Sequence, residues 1–235
     1  MRKLIFSLLL SLFAAAAVAA NKLDIHKPDL EKIKEETLDP QSKRHYQKLL
    51  KKFMSNDTIM NTEDFEYFYF GTLFQEDYDP YRAVYDQLAL DSISPLYYKA
   101  DHTRSELNRM ENYARRALED NPLDLAQLKN LVFVHEKKGK VNLAKIWKNK
   151  LNHLLLAIAQ SGTGLDPDNA WVVVYPRHEF DFLNISGLVV EGSEFQEPYY
   201  EKFRVKAKSD KDPSEYYFNL QPVLEQYYLK HPTEM

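Results

Sequence analysis

The sequence predicts an α+β chain, with helices first and a small antiparallel β-sheet after them. Three observations carry that expectation. Between Thr103 and Gly162, apolar residues recur at helical spacing in three consecutive segments. The first of these opens on Thr103-Arg104-Ser105-Glu106, a capping box. From Trp171 the apolar period falls to two, and β-branched and aromatic residues take over.

Taken in order, the chain begins with a basic start at Arg2 and Lys3, an apolar run from Leu4 to Val18, and small residues at Ala17-Val18-Ala19-Ala20. That three-part pattern reads as a secretory signal peptide over residues 1–20, cleaved near Ala19 or Ala20. The run is short for a membrane span, and the polar sequence after Asn21 supplies no stop-transfer pattern. Residues 21–235 then form one exported domain, periplasmic or secreted, helical over about 40–160 and β-rich over about 170–220.

Pro28 can start a short helix through Leu38, and Asp39-Pro40 reads as the start of the next, running to Met54. That helix carries Tyr46, Leu49, Leu50 and Phe53 on one stripe. Lys43, Arg44, Lys48, Lys51 and Lys52 lie on the other, read as a solvated face rather than an anion patch. Thr62 can cap a further helix, with Glu63 and Asp64 in its first turn, although the aromatic run Phe65–Phe70 also suits a strand. Gln75–Tyr81 is a loop, and residues 82–100 leave helix and irregular structure open, with Ser94-Pro95 as a break.

After the capping box, Leu107, Met110, Tyr113, Ala114, Ala117 and Leu118 mark one helix, ending at Asn121-Pro122. Leu125, Leu128, Leu131 and Val132 mark the next, to Gly139. Ala144, Trp147, Leu151, Leu154, Leu155 and Ile158 mark the third. Tyr113–Pro122 resembles the second helix and terminal proline of a tetratricopeptide repeat. Leu128, Leu131, Gly139 and Ala144 continue that register, so a tetratricopeptide-like pair is expected within a larger domain. The strands are expected over Trp171–Leu183, Phe203–Lys208 and Glu215–Leu220, before a C-terminal helix from Pro222 to Leu229.

Composition bounds the function. Losing residues 1–20 removes Arg2 and Lys3 and no acid, which takes the net charge from −4 to −6; a surface that tracks phosphates, and so a nucleic-acid partner, is not expected. With no cysteine there are no disulfides, thiolate metal sites, cysteine nucleophiles or lipidated cysteines. The 16 tyrosines and 13 phenylalanines provide ample surface for a core. No nucleophile elbow, phosphate loop or His-Glu-x-x-His is present, the seven histidines are scattered, and neither a metal nor a cofactor is expected.

The nearest approach to a catalytic constellation is Arg177-His178-Glu179-Phe180-Asp181. On a regular strand, Arg177, Glu179 and Asp181 face one way, and His178, Phe180 and Phe182 the other. This suits a core histidine beside a surface charge network better than an acid–base pair. His178, Glu179 and Asp181 nevertheless stand as the catalytic candidates, with Arg177, Asp57, Asp77 and Tyr78 as binding candidates. Ser161-Gly162-Thr163-Gly164 reads as a helix stop and turn, finished by Asp166–Asn169.

Two separated stretches carry a wider likeness. One comprises Asn56-Asp57-Thr58, the aromatic segment to Gly71, and Phe74–Tyr81. The other comprises Ser161–Gly164, Ala170–Tyr175, His178-Glu179-Phe180-Asp181 and Tyr217-Phe218-Asn219. Together they resemble the exported bacterial family catalogued as domain of unknown function 4919. The resemblance implies a single exported bacterial domain and carries no activity or ligand with it. The signal peptide, the partial repeat and the lack of a catalytic constellation lead to the expectation of a non-enzymatic binding module of the bacterial cell envelope, whose tetratricopeptide-like helices and aromatic surface take an envelope protein or small ligand. The alternative is a small hydrolase or other enzyme using the Arg177–Asp181 segment with loop residues such as Asp57 and Asp77.

Overall fold

The computed structural model describes residues 24–55, 60–207, 209 and 211–234. The signal segment 1–20 and the candidate Asp57 lie outside the described residues. The helices are α1 (Leu30–Leu38), α2 (Tyr46–Met54), α3 (Thr62–Gly71), α4 (Gln87–Ile93), α5 (Arg104–Asp120), α6 (Leu125–Lys137) and α7 (Val141–Gln160). Strand β1 (Trp171–Val172), helix α8 (Arg177–Ile185), strands β2 (Val190–Gln196), β3 (Tyr200–Val205) and β4 (Glu215–Asn219), and helix α9 (Gln221–Lys230) follow.

The caps decide the boundaries. Asp29 caps α1 by accepting from the Lys32 amide at 3.1 Å. Asp39-Pro40 does not start α2. The Asp39 carboxylate accepts from the Gln41 amide at 2.8 Å, closing a local turn, and the helix begins only at Tyr46. Two of the cations read on that face are engaged locally: Arg44, which precedes the helix, meets Glu63 at 2.5 Å, and Lys48 donates to the carbonyls of Pro40 and Ser42 at 2.7 and 2.9 Å.

For α3 the cap is Asn61, which accepts from Asp64 at 2.8 Å, with Thr62 as the first helical residue. The cap and the acidic first turn settle the aromatic run as helix, and Phe65 and Tyr67–Phe70 are all buried. The helix ends on Gly71, where a Cβ would lie 2.6 Å from Thr37 Cγ2, so α1 and α3 can approach closely. In the open 82–100 segment, α4 passes into a 3₁₀ turn over Ser94–Tyr98.

The capping box is realised. Thr103 Oγ1 accepts from the Glu106 amide at 3.2 Å, and Glu106 accepts from the Thr103 amide at 2.8 Å. Helices α5, α6 and α7 pack consecutively, with the α6–α7 turn made at Gly139, whose φ is +69°.

The α+β class holds, and the sheet is mixed: its order is β1-β4-β3-β2, with β2–β3 and β3–β4 antiparallel and β1–β4 parallel. The expected strand over Trp171–Leu183 stops after two residues and becomes α8. Pro176 precedes the helix, and the amides of His178 and Glu179 turn back to the carbonyls of Tyr175 and Pro176 at 2.9 and 3.1 Å. The buried set on α8 is His178, Glu179, Phe182, Leu183 and Ile185, a helical spacing, while Phe180 is 44% exposed. Strand β2 has no signal in the sequence because it is an edge strand with no fully buried residue.

Helix α8 covers one face of the sheet. Phe182 packs on Trp171 and Phe218 with ring centroids 4.9 and 6.2 Å apart, and Phe180 packs on Phe203 at 4.9 Å. The main core joins this layer to α2, α3 and α7. A smaller cluster of Ile93, Leu96, Leu107, Met110 and Val134 seats residues 82–100 on α5 and α6.

Candidate functional site

Successive residues of a helix point about 100° apart, and α8 distributes the predicted site residues accordingly. His178 is fully buried against α3. Its Nδ1 lies 2.9 Å from the Tyr69 hydroxyl, which also accepts from the Val174 amide at 3.3 Å. The direction of the bond between the hydroxyl and Nδ1 follows the tautomer of the ring. Burial, with the Arg177 charge beside it, pushes the imidazole well below its usual pKa, against a pull from the Leu123 carbonyl. It is held neutral.

Glu179 is 2% exposed. Burial, then the Glu201 carboxylate, drives its pKa well above the ordinary value, and Oε1 has no hydrogen-bond partner. A protonated carboxyl is the form this environment favours. Arg177 and Asp181 face α6. Arg177 Nη2 binds Asp124 Oδ2 at 2.7 Å, while Asp124 Oδ1 caps α6 by accepting from Gln127 at 3.0 Å. Asp181 is pushed up to about 7, first by burial and then by Asp124, with Arg177 and Lys129 pulling it down.

The loop candidates lie nearby without joining these groups. Tyr78 is buried and donates to the Val174 carbonyl at 2.5 Å. Lys230 of α9 ties this loop down through the carbonyls of Tyr78 and Glu76, both at 2.7 Å. Asp77 is exposed, and its charge reaches the Tyr175 hydroxyl, which is held at about 12, chiefly by burial. Of the α8 candidates, His178 is hydrogen-bonded to Tyr69 and Arg177 is paired with Asp124, while the charges of Glu179 and Asp181 also act on the buried Tyr69 hydroxyl. A concerted acid–base site needs its groups linked around one reacting atom, and among the described residues no hydrogen bond joins His178, Glu179 and Asp181 to one another. Among the described residues no group of three or more His, Asp or Glu side chains is placed to hold a metal ion.

Sequence reasoning missed Asp124 and Glu201, whose roles depend on contacts between distant segments. It also missed the edge of β2. In β3 the Lys206 amide donates toward β2, to Val189 at 2.9 Å, whereas the Val205 amide donates toward β4, to Ser214 at 2.8 Å. By alternation, Tyr200, Lys202 and Arg204 turn their peptide groups toward β2, where their partners are Gln196, Glu194 and Gly192. The peptide groups of Ser193 and Phe195 consequently point outward, and among the described residues no strand lies beyond them. Phe195 is 51% exposed on the sheet face that carries Phe203 and Phe180.

A family model described as a domain of unknown function (DUF4919) matches residues 31–229. No curated protein and no solved structure matches the chain.

Proposed function

We propose, for a chain that belongs to the DUF4919 family, a non-enzymatic binding module of the bacterial cell envelope. It is exported by its first twenty residues and takes an extended segment of a partner protein along β2. The observation that carries this reading is the open edge itself: outward peptide groups at Ser193 and Phe195 beside the exposed rings of Phe195 and Phe180. Main-chain hydrogen bonds on such an edge supply affinity, and the flanking side chains supply selection. The hydrolase reading is less well supported, because His178 and Glu179 are sealed from solvent and no hydrogen bond joins them. Among the described residues no helix is long and apolar enough to cross a membrane.

The test combines export and contact. The mature protein recovered from its own cells should begin near Asn21. A photo-crosslinker at position 195 should give adducts that the same group at the exposed Lys145 of α7 does not. A Ser193→Pro substitution removes an outward N–H, a change an edge strand tolerates, and should abolish those adducts. An unprocessed N-terminus would refute export. Equal adducts at positions 195 and 145 would refute the edge as the binding surface.

A further inference from the structure

The partner's chemistry can be read from the strand that β2 already holds. We infer that the outer edge of β2 takes an extended, cationic segment in which basic and apolar residues alternate; this rests on the edge-binding reading above. On its inner side β2 pairs with Lys202-Phe203-Arg204-Val205-Lys206, a segment of that pattern. Lys202 lies opposite Glu194, with their charges 3.6 Å apart, and also reaches Glu215 at 3.7 Å. Arg204 lies opposite Gly192, where a Cβ would come within 3.2 Å of its guanidinium. Phe203 lies opposite Ser193, under the Phe180 ring.

The outer side offers the same two rows. Ser193 and Phe195 share the helix-covered face with Phe203, and Glu194 and Gln196 share the opposite face with Lys202 and Tyr200. A strand added outside would therefore set apolar side chains beside Phe195 and Phe180, and would set basic ones beside Glu194. Charge selects the same occupant. Between Arg177 and Lys202 there is no Lys or Arg, while Glu191, Glu194 and Glu197 lie in or just beyond β2. The nearest cations, Lys202 and Arg204, stand one strand inward and already face β2. Glu194 keeps 69% of its side chain exposed, and Glu191 and Glu197 have no ion-pair partner among the described residues. A second copy pairing antiparallel through β2 about Glu194 would set Glu194 against Glu194 and Glu191 against Glu197, an unfavourable cross-strand arrangement. Carboxylates along an edge discourage self-pairing while leaving it open to a strand of opposite charge.

The experiment titrates the mature protein, labelled with nitrogen-15, with two capped peptides: Lys-Phe-Arg-Val-Lys and its acidic counterpart Glu-Phe-Glu-Val-Glu. The cationic peptide should shift and protect the amides of Ser193 and Phe195 and bind at least about fivefold more tightly than the acidic one. A Glu194→Lys variant, at an exposed position where circular dichroism can confirm the fold, should weaken the cationic peptide by about fivefold. If both peptides perturb Ser193 and Phe195 with equal affinity and Glu194→Lys changes neither, the charge assignment falls and the edge reading survives. If neither peptide reaches those amides, the edge reading falls as well. Should sedimentation show a dimer that Ser193→Pro dissociates, the occupant is a second copy and the inference is overturned.

Discussion

His178 and Glu179 are adjacent in the chain and both buried, but only His178 finds a side-chain partner, Tyr69, while Glu179 Oε1 has none. The burial of His178 was legible from the apolar residues around it; Glu179, read as part of a surface charge network, is buried as well, because on a helix it does not alternate away from the core. Asp181 gives this scale a measurable consequence. Its folded pKa, about 7, lies above the ordinary 3.8, so the native state keeps a proton that the unfolded chain has released. The stability contributed by this group is fully present below about pH 4 and is lost as pH rises through about 7. His178 and His135, both held neutral by burial, work the other way, and their contribution is lost as pH falls below 6.5. Measuring Asp181→Asn against the parent at each pH cancels the histidines. In chemical denaturation the variant should gain on the parent between pH 5 and pH 8. A difference independent of pH would show that the carboxyl is not held in its neutral form.

Among the elements, caps written in the sequence decided the outcome wherever their hydrogen bonds were local. The Thr103–Glu106 box formed as read. Asp39-Pro40 misled because an aspartate that can cap a helix can equally close a turn, and the apolar stripe supported by the core begins only at Tyr46. The Arg177–Leu183 segment misled because so short a run satisfies both periods, and Pro176 with the Tyr175 carbonyl selected the helix. Contact between α1 and α3 tests the packing of such elements. Gly71→Ala would ordinarily favour a helix by up to about 1 kcal/mol. Here the new methyl would lie 2.6 Å from Thr37 Cγ2, and overpacking of this kind costs about 1–3 kcal/mol. Thermal unfolding should therefore show a loss. Adding Thr37→Ser should recover it, since serine keeps the hydroxyl that bonds the Ile33 carbonyl at 2.6 Å and drops the methyl. A gain from Gly71→Ala alone would refute the close contact.

Across the molecule, one layer of helices closes over one face of the sheet and leaves β2 as an unpaired margin. On the edge reading proposed above, the glutamates along that margin oppose pairing between copies. Replacing Glu191 and Glu194 by glutamine should therefore increase self-association, seen as a concentration-dependent rise in sedimentation coefficient relative to the parent. An unchanged coefficient would mean that the bulge between Val190 and Gly192 guards the edge without them. The sequence by itself determined the α+β class, the three long helices, the positions of β3 and β4, and the aromatic content of the core. Each of these is set by periodicity or by hydrogen bonds within a few residues. Only the tertiary structure decided that the Arg177 segment is a helix, that β1 joins β4 in parallel, that β2 exists, and which neighbours His178, Glu179 and Asp181 meet. Those outcomes depend on contacts between segments far apart in the chain, and an edge strand with one side in water leaves no apolar alternation for a sequence to display.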